Sequence, residues 1–166
     1  MNTIQNFLNI NPYSLKKKGK LKKFSNYINR LTIHHYKNCA IYKKIIKNLK
    51  FKIKKKNKLE NFPMLPVRIF KKHDLQSVPG NKVIKKLVSS GTSGQELSKI
   101  YLDKENARNQ MIVLKKITET ILGNQRLPML IIDQDPKILD RSVFNAKVAC
   151  YLSYHLICRK VFLSYK

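Results

Sequence analysis

The sequence predicts an α/β protein, with N-terminal helices followed by a partial sheet on which further helices pack. Three observations carry this. Leu21, Phe24, Ile28, Leu31 and His35 recur at intervals of three and four, the period of an amphipathic helix. Around residues 82–102 two short apolar runs flank a loop of small hydroxyl residues and glycines, the pattern of strand, loop, strand. Beyond it, helical and strand-like segments alternate, which suits layers of helix on sheet.

Taken in order, a second helix is expected over Ala40 to Leu49, with Tyr42, Ile45, Ile46 and Leu49 on its apolar face. "KNLKFKIKKKNKLEN" then loses periodicity and reads as a solvated basic connection. In "FPMLPVRIF" Pro63 and Pro66 exclude a regular helix through the stretch and favour extended chain. "SVPGNK" is a turn. Lys82 to Val88 and Ser98 to Leu102 are the strands beside the hydroxyl loop. Asp103 suits the N-cap of the next helix, with Glu105 in its first turn, where negative charge complements the helix dipole. Ala107, Met111, Leu114, Ile117 and Ile121 make that helix's buried stripe, and Gly123 ends it. "LPMLIID" is a buried strand, Asp135 and Pro136 mark a turn, an apolar helix runs from about Arg141 to Cys158, and "VFLSY" is a final strand. The chain thus divides into an N-terminal basic helical region, 1–60, and an α/β portion, 61–166, that carries the loop and forms an incomplete domain.

Composition narrows the function classes. With 166 residues and 43% hydrophobic content the chain can build a core, unlike an acidic or polar disordered tail. The N-terminus "MNTIQNFLNINPY" lacks a signal-peptide pattern. The longest apolar stretch, Val143 to Cys158, is interrupted by Asn145, Lys147, Ser153 and His155 and falls short of the ~20 apolar residues a membrane span requires. A cytoplasmic protein is expected. The formal charge of +26 invites a nucleic acid or anionic surface as partner. Only six of the 35 basic residues are arginine, the better tool for bidentate phosphate and base reading. The chain is also crowded with Ile and Asn, so much of the lysine reads as compositional drift on solvated faces. A basic binding module without catalysis stands as the alternative reading, although no helix-turn-helix or aromatic-interleaved basic motif supports it and nucleic acid is not expected as partner.

Cys39, Cys150 and Cys158 form no Cys-x-x-Cys pair, which argues against a disulfide framework and a structural zinc. His34 and His35 have few acidic or cysteine neighbours and read as packed or surface residues. Asp133, Asp135 and Asp140 suit turns and caps better than magnesium, and no metal ligand is assigned.

The hydroxyl loop carries the chemistry. In "KKLVSSGTSGQELSKIYLD" the glycines allow successive backbone N–H groups to point into one concavity, and such a nest binds anions. The hydroxyls add rotatable donors for phosphate oxygens, and Lys99 follows five residues after Gly94. The spacing is not that of a Walker A loop. From composition alone the segment is either a surface turn or a phosphate cradle.

"SSGTSG" resembles the phosphate-binding loop of adenylate-forming enzymes, the acyl-CoA synthetases and their relatives. Those enzymes usually place a lysine three residues after the last glycine, where this chain has Leu97. The longer string "SSGTSGQELSKIYLDKENARNQ" is similar to the LuxE-type acyl-protein synthetase branch. So, in matching order, are "HHYKNCAIYKK", "FPMLPVRIFKKHDLQSV" and "LIIDQDPKILDRSVFNAKVA", with Lys147 at the usual arginine. The matches run from about His34 to Ala149.

The resemblance implies the N-terminal portion of an adenylate-forming fold and ATP-dependent activation of a carboxylate, in this branch a fatty acid. An acyl-adenylate forms with magnesium assistance, and the acyl group passes to a protein thiol. It further implies that Ser89, Ser90, Thr92 and Ser93 offer hydroxyls to the β- and γ-phosphates, that Gly91 and Gly94 permit close backbone approach, and that Lys99 neutralises charge. Cys39 falls on a family-like position of structural character rather than that of the acyl acceptor. The adenine-binding segment, the ribose-holding aspartate, the mobile C-terminal part and the acyl-accepting cysteine are expected beyond Lys166, so the catalytic residues stay unassigned. The partners implied are a carboxylic acid and either an acyl-accepting protein or a separately encoded C-terminal half.

Overall fold

The computed structural model describes residues 3–54, 56–89, 96–132, 154 and 158–164. Helix α1 (Thr3–Leu8) leads to the long α2 (Lys17–Asn38) and, after the single residue Cys39, to α3 (Ala40–Asn48). A basic connection, a one-turn helix α4 (Ile69–Lys72) and the strands β1 (Val83–Val88) and β2 (Lys99–Asp103) follow. Helix α5 (Lys104–Leu122), β3 (Met129–Ile132) and β4 (Val161–Ser164) complete the described elements. The α/β expectation holds, with the helices leading and the strands gathered into two small sheets.

β1 and β2 form an antiparallel pair with Lys86 opposite Tyr101 and Val88 opposite Lys99. β3 and β4 are parallel, with Met129 opposite Val161 and Ile132 opposite Ser164. Their bonding continues past the strand ends, where Arg159 N–H donates to the Leu127 carbonyl and the Arg126 guanidinium to the Cys158 carbonyl at 2.7 Å.

The turn from α2 into α3 is made by Cys39. It is extended and buried, and its sulfur accepts the Tyr42 N–H at 3.4 Å, which gives α3 a thiol N-cap. This is the structural role expected of it. Ile46, on the apolar face of α3, is fully buried, as the periodicity of that helix requires.

Helix α2 corrects the expected stripe. Leu21 and Phe24 are exposed, and the buried positions are Asn29 and Thr32. Asn29 is buried because it is satisfied: its Oδ1 accepts the Asn57 N–H at 2.8 Å, and its Nδ2 donates to the carbonyls of Asn57 (3.0 Å) and Ser25 (2.8 Å). A side-chain amide thereby imitates a strand partner and pins the basic connection onto α2. Hydropathy cannot see this, because burial of a polar group depends on a partner elsewhere in the chain.

"FPMLPVRIF" also departs from expectation. Residues 62–66 carry no helix, but the chain turns after Pro66, whose carbonyl accepts the Ile69 N–H at 3.0 Å, and α4 begins inside the segment. A proline excludes helix only before itself, where its ring would clash; beyond it the chain is unconstrained. Helix α1 had no clear periodic signal and owes its place to packing. Leu8 is buried, Phe7 meets Tyr27 edge to face at 5.7 Å, and the Lys116 ammonium donates to the Leu8 carbonyl.

The ends of α5 obey their sequence signals, but its expected buried stripe is corrected: Ile121 is exposed, Ala107, Met111, Leu114 and Ile117 are half-buried, and the buried position is Asn109. Asp103 Oδ1 accepts the Asn106 N–H at 2.7 Å as N-cap, and Gly123 at φ +74° ends the helix with its N–H on the Glu119 carbonyl. The expected helix over Arg141 to Cys158, and with it Cys150, lies outside the described residues except for Tyr154 and Cys158.

Candidate functional site

The neck of the hydroxyl loop is a strand-end closure. Ser89 N–H donates to the Ser98 carbonyl at 3.1 Å, and the Ser98 N–H donates to Ser89 Oγ at 3.0 Å. β1 and β2 are therefore tied together at Ser89 and Ser98, on either side of the loop sequence. Ser89 spends one acceptor site on this bond and keeps its hydroxyl proton for donation. Ser90, Gly91, Thr92, Ser93 and Gly94 lie outside the described residues.

Lys99 opens β2 at the far side of the neck, and its ammonium lies 3.1 Å from Asp74 Oδ1. The same carboxylate oxygen accepts the Tyr101 hydroxyl at 2.8 Å. Lys99 and Tyr101, two apart on a strand, share one face, so a single carboxylate grips both. Lys86, opposite Tyr101 in register, sets its ammonium 5.7 Å from the Tyr101 ring centre. The tyrosine hydrogen bond, then the lysine, hold the Asp74 carboxyl below the usual range, and burial, then Asp74, push the Tyr101 phenol up.

Asp74 belongs to the segment that follows α4, and three residues on Ser77 makes a second tie. Its Oγ is 2.7 Å from Nδ1 of His35 on α2. His35 also meets the rings of His34 at 5.4 Å and Tyr42 at 5.8 Å, both edge to face. Burial, then the charge of His34, lower its pKa, so the imidazole is neutral at neutral pH. A cleft of about 540 Å³ separates α2 from the β1–β2 hairpin, with His34, His35, Ser77, Lys99 and Tyr101 on its walls. His35 is thus packed among rings and a serine, while His34 is exposed and bonded to Asn38, in keeping with the reading of the pair as packed or surface residues.

The structure brings Ser89 and Lys99 to the two sides of the loop base. It adds Asp74, Ser77 and Tyr101, which sequence reasoning missed. Asp74 stands 25 positions before Lys99 in a mixed polar run, and no periodicity links the two. The resemblance of "FPMLPVRIFKKHDLQSV" was the one signal that this segment belongs with the loop. Among the described residues no group of three or more His, Cys, Asp or Glu gathers as a metal site, and no helix is long and apolar enough to cross a membrane. Asp133, Asp135 and Asp140 lie outside the described residues.

The loop hairpin, the Cys39 corner and the α4 segment occur in the order the resemblance requires, and comparison with known families decides the matter. The family model of the LuxE acyl-protein synthetases matches residues 2–164. The chain belongs to the LuxE acyl-protein synthetase family. No curated protein and no solved structure matches it. In this LuxE-family chain the match takes in α1 and the basic helices as well as the hairpin, so the N-terminal region is part of the family unit rather than an appended tail.

Proposed function

We propose that this chain takes part in ATP-dependent activation of a carboxylic acid, a fatty acid in the first instance, and in transfer of the acyl group to a protein thiol. The observation that carries the reading is the β1–β2 hairpin of a LuxE-family chain, closed at Ser89 and Ser98, with the hydroxyl loop at its end. A carboxylate oxygen attacks the α-phosphorus of ATP, the bond to the bridging oxygen breaks, and pyrophosphate leaves. A thiolate then attacks the acyl carbonyl and AMP departs. Phosphoryl chemistry of this kind asks the protein mainly for positioning and charge neutralisation.

On this reading Ser89, Ser90, Thr92 and Ser93 donate to the phosphate oxygens, and Gly91 and Gly94 let the backbone N–H groups approach. Lys99 supplies positive charge at the loop base, with Asp74 holding it in place when no nucleotide is bound. Magnesium accompanies the nucleotide, because a cation of this hardness is commonly held by substrate phosphates together with one or two carboxylates. The acyl acceptor is a cysteine thiol outside the loop. Cys39, buried and used as an N-cap, does not serve.

The test is ATP–pyrophosphate exchange with a panel of carboxylic acids of increasing chain length, with the chain alone and with any adjacently encoded product. Exchange that grows with chain length and falls at least about tenfold in Gly91→Ala and Thr92→Ala is expected, since each change removes backbone access or a charge-assisted hydrogen bond. Exchange unaltered by both substitutions would remove the loop from the mechanism.

A further inference from the structure

Asn106, Asn109, Gln110, Val113, Leu114 and Ile117 of α5 follow the i, i+3, i+4 spacing of a helix and form one stripe along it. The stripe changes character along its length. Three side-chain amides occupy its N-terminal half, and three aliphatic residues follow. It walls a groove of about 550 Å³, a size typical of small-molecule sites. Phe7 and Leu8 of α1 and Phe24 and Tyr27 of α2 make the facing wall. That wall is held in place by the contact of Phe7 with Tyr27 and by the bond from the Lys116 ammonium to the Leu8 carbonyl. Among the described residues, none that line the groove is charged.

Two observations point to an occupant. Phe24 and Val113 line the groove yet remain 51% and 43% exposed, so apolar surface on both walls is left to water. Asn109 is the opposite case: it is 9% exposed, and its Nδ2 has no hydrogen-bond partner. Buried amide groups are nearly always paired, and an unpaired one is costly. An unpaired amide in the wall of an apolar groove calls for an acceptor carried by an otherwise apolar molecule. The groove also has a direction. Tyr27 and Asn106 line both it and the cleft between α2 and the β1–β2 hairpin, where Lys99 stands. Its amide end therefore meets that cleft, and Ile117 lies about 16 Å further along α5.

We propose that this groove holds the alkyl chain of a single-chain carboxylic acid, with the chain on Val113, Leu114 and Ile117 and the carboxyl group at the amides of Asn106, Asn109 and Gln110. A peptide segment would bring backbone N–H and C=O groups that the aliphatic half cannot satisfy, whereas an alkyl chain has none. The first turn of α5, beside Asn106, adds the partial positive charge of a helix N-terminus, which suits a carboxylate. This rests on the carboxylate-activation reading above and deepens it, placing the chain of the acid and turning its head towards the cleft.

The experiment is calorimetric titration of the full chain with octanoate, decanoate, dodecanoate and tetradecanoate, each below its micelle concentration. The variants are Val113→Arg, Asn109→Leu and Ile121→Arg. In the parent, affinity should rise about tenfold for each added pair of methylenes. Val113→Arg should weaken the two longer acids at least about tenfold, because it sets a charge in the apolar half. Ile121 is 75% exposed and outside the groove, so Ile121→Arg adds the same charge to the same helix and should bind as the parent does. Asn109→Leu should weaken all four acids by a similar factor, about tenfold, the scale of one hydrogen bond to a charged group. It should also raise the denaturation midpoint, since it removes an unpaired buried amide. A lowered midpoint would make Asn109 structural and overturn its place at the head. If Val113→Arg and Asn109→Leu bind the acids as the parent does while ATP–pyrophosphate exchange persists, the groove is wrong and the activation reading stands. Binding of the expected pattern without exchange for any acid keeps the groove and removes that reading, and the absence of both overturns both. A parent that is dimeric, turns monomeric in Val113→Arg and binds no acid would assign the groove to a second copy of the chain instead.

Discussion

Ser89 and Lys99 show how far single positions can be read without a structure. Both stand out by their chemistry, a hydroxyl and a cation near a glycine-rich loop. The structure gives each a second engagement: Ser89 accepts the Ser98 amide, and Lys99 is held by Asp74. Neither partner is local in the sense that helix spacing is local, so residue type alone could not supply it. His35 is the most informative single residue for solution behaviour. Its folded-state pKa lies below the ordinary value of 6.5, so in the window just below that value the unfolded chain binds more protons than the folded one. Stability is therefore present above pH 6.5 and falls as pH drops towards the folded pKa. Denaturant titrations through this window should show that slope in the parent chain and a flatter one in His35→Gln. An identical slope in both would assign the acid sensitivity elsewhere. Asp74, with its carboxyl held low, acts in a separate window, losing its contribution below the ordinary value of 3.8.

The elements divide by the kind of signal they obey. α3, α5 and the β1–β2 hairpin carry complete local instructions, namely an apolar face, caps at the ends, and alternating runs around a glycine-rich loop. They formed where those instructions placed them, to within a residue or so. α1 and α4 carry weak ones and depend on contacts made elsewhere. α2 was legible as a helix, but its buried side was not, because Asn29 is covered only by virtue of Asn57. The end of α5 offers a direct check. Gly123 adopts φ +74° and ψ −175°, a region open to glycine and strained for any residue with a Cβ. Gly123→Ala should lower stability by roughly 1–3 kcal/mol, seen as a shift in the denaturation midpoint at constant slope. No side chain stands within 4 Å of the added Cβ, so a loss of that size would come from the backbone alone. An unchanged midpoint would mean that the turn after α5 readjusts without cost.

For the molecule as a whole, the +26 charge is both a clue and a load. The lysines along α2 are exposed, and nine acidic residues face 35 basic ones, so ion pairs such as Lys99–Asp74 and Lys115–Glu119 can offset only a part of the charge. Self-repulsion of this size opposes the compact state and is screened by salt. The melting temperature should therefore rise with sodium chloride concentration in thermal melts. A melting temperature that falls or stays constant would show that repulsion does not limit stability. The apolar exposure of Leu130 (61%) and Ile132 (74%) on β3 belongs at this level too. The strand is apolar throughout, as a parallel strand covered on both faces would be, yet one face is open among the described residues.

Residue order alone was enough for whatever depends on neighbours in the chain: the α/β class, the hairpin with its hydroxyl loop, the caps at Asp103 and Gly123, and the succession of segments that marks a LuxE-family chain. Helical period, capping and loop composition act over a few residues, so they are written where they act. Tertiary structure alone decided what depends on distant partners. It buried Asn29 against Asn57, tied Asp74 to Lys99 and Tyr101, and joined Ser77 to His35. Buried polar groups and ion pairs owe their energy to the partner they meet, and which partner that is becomes fixed only when the chain closes on itself.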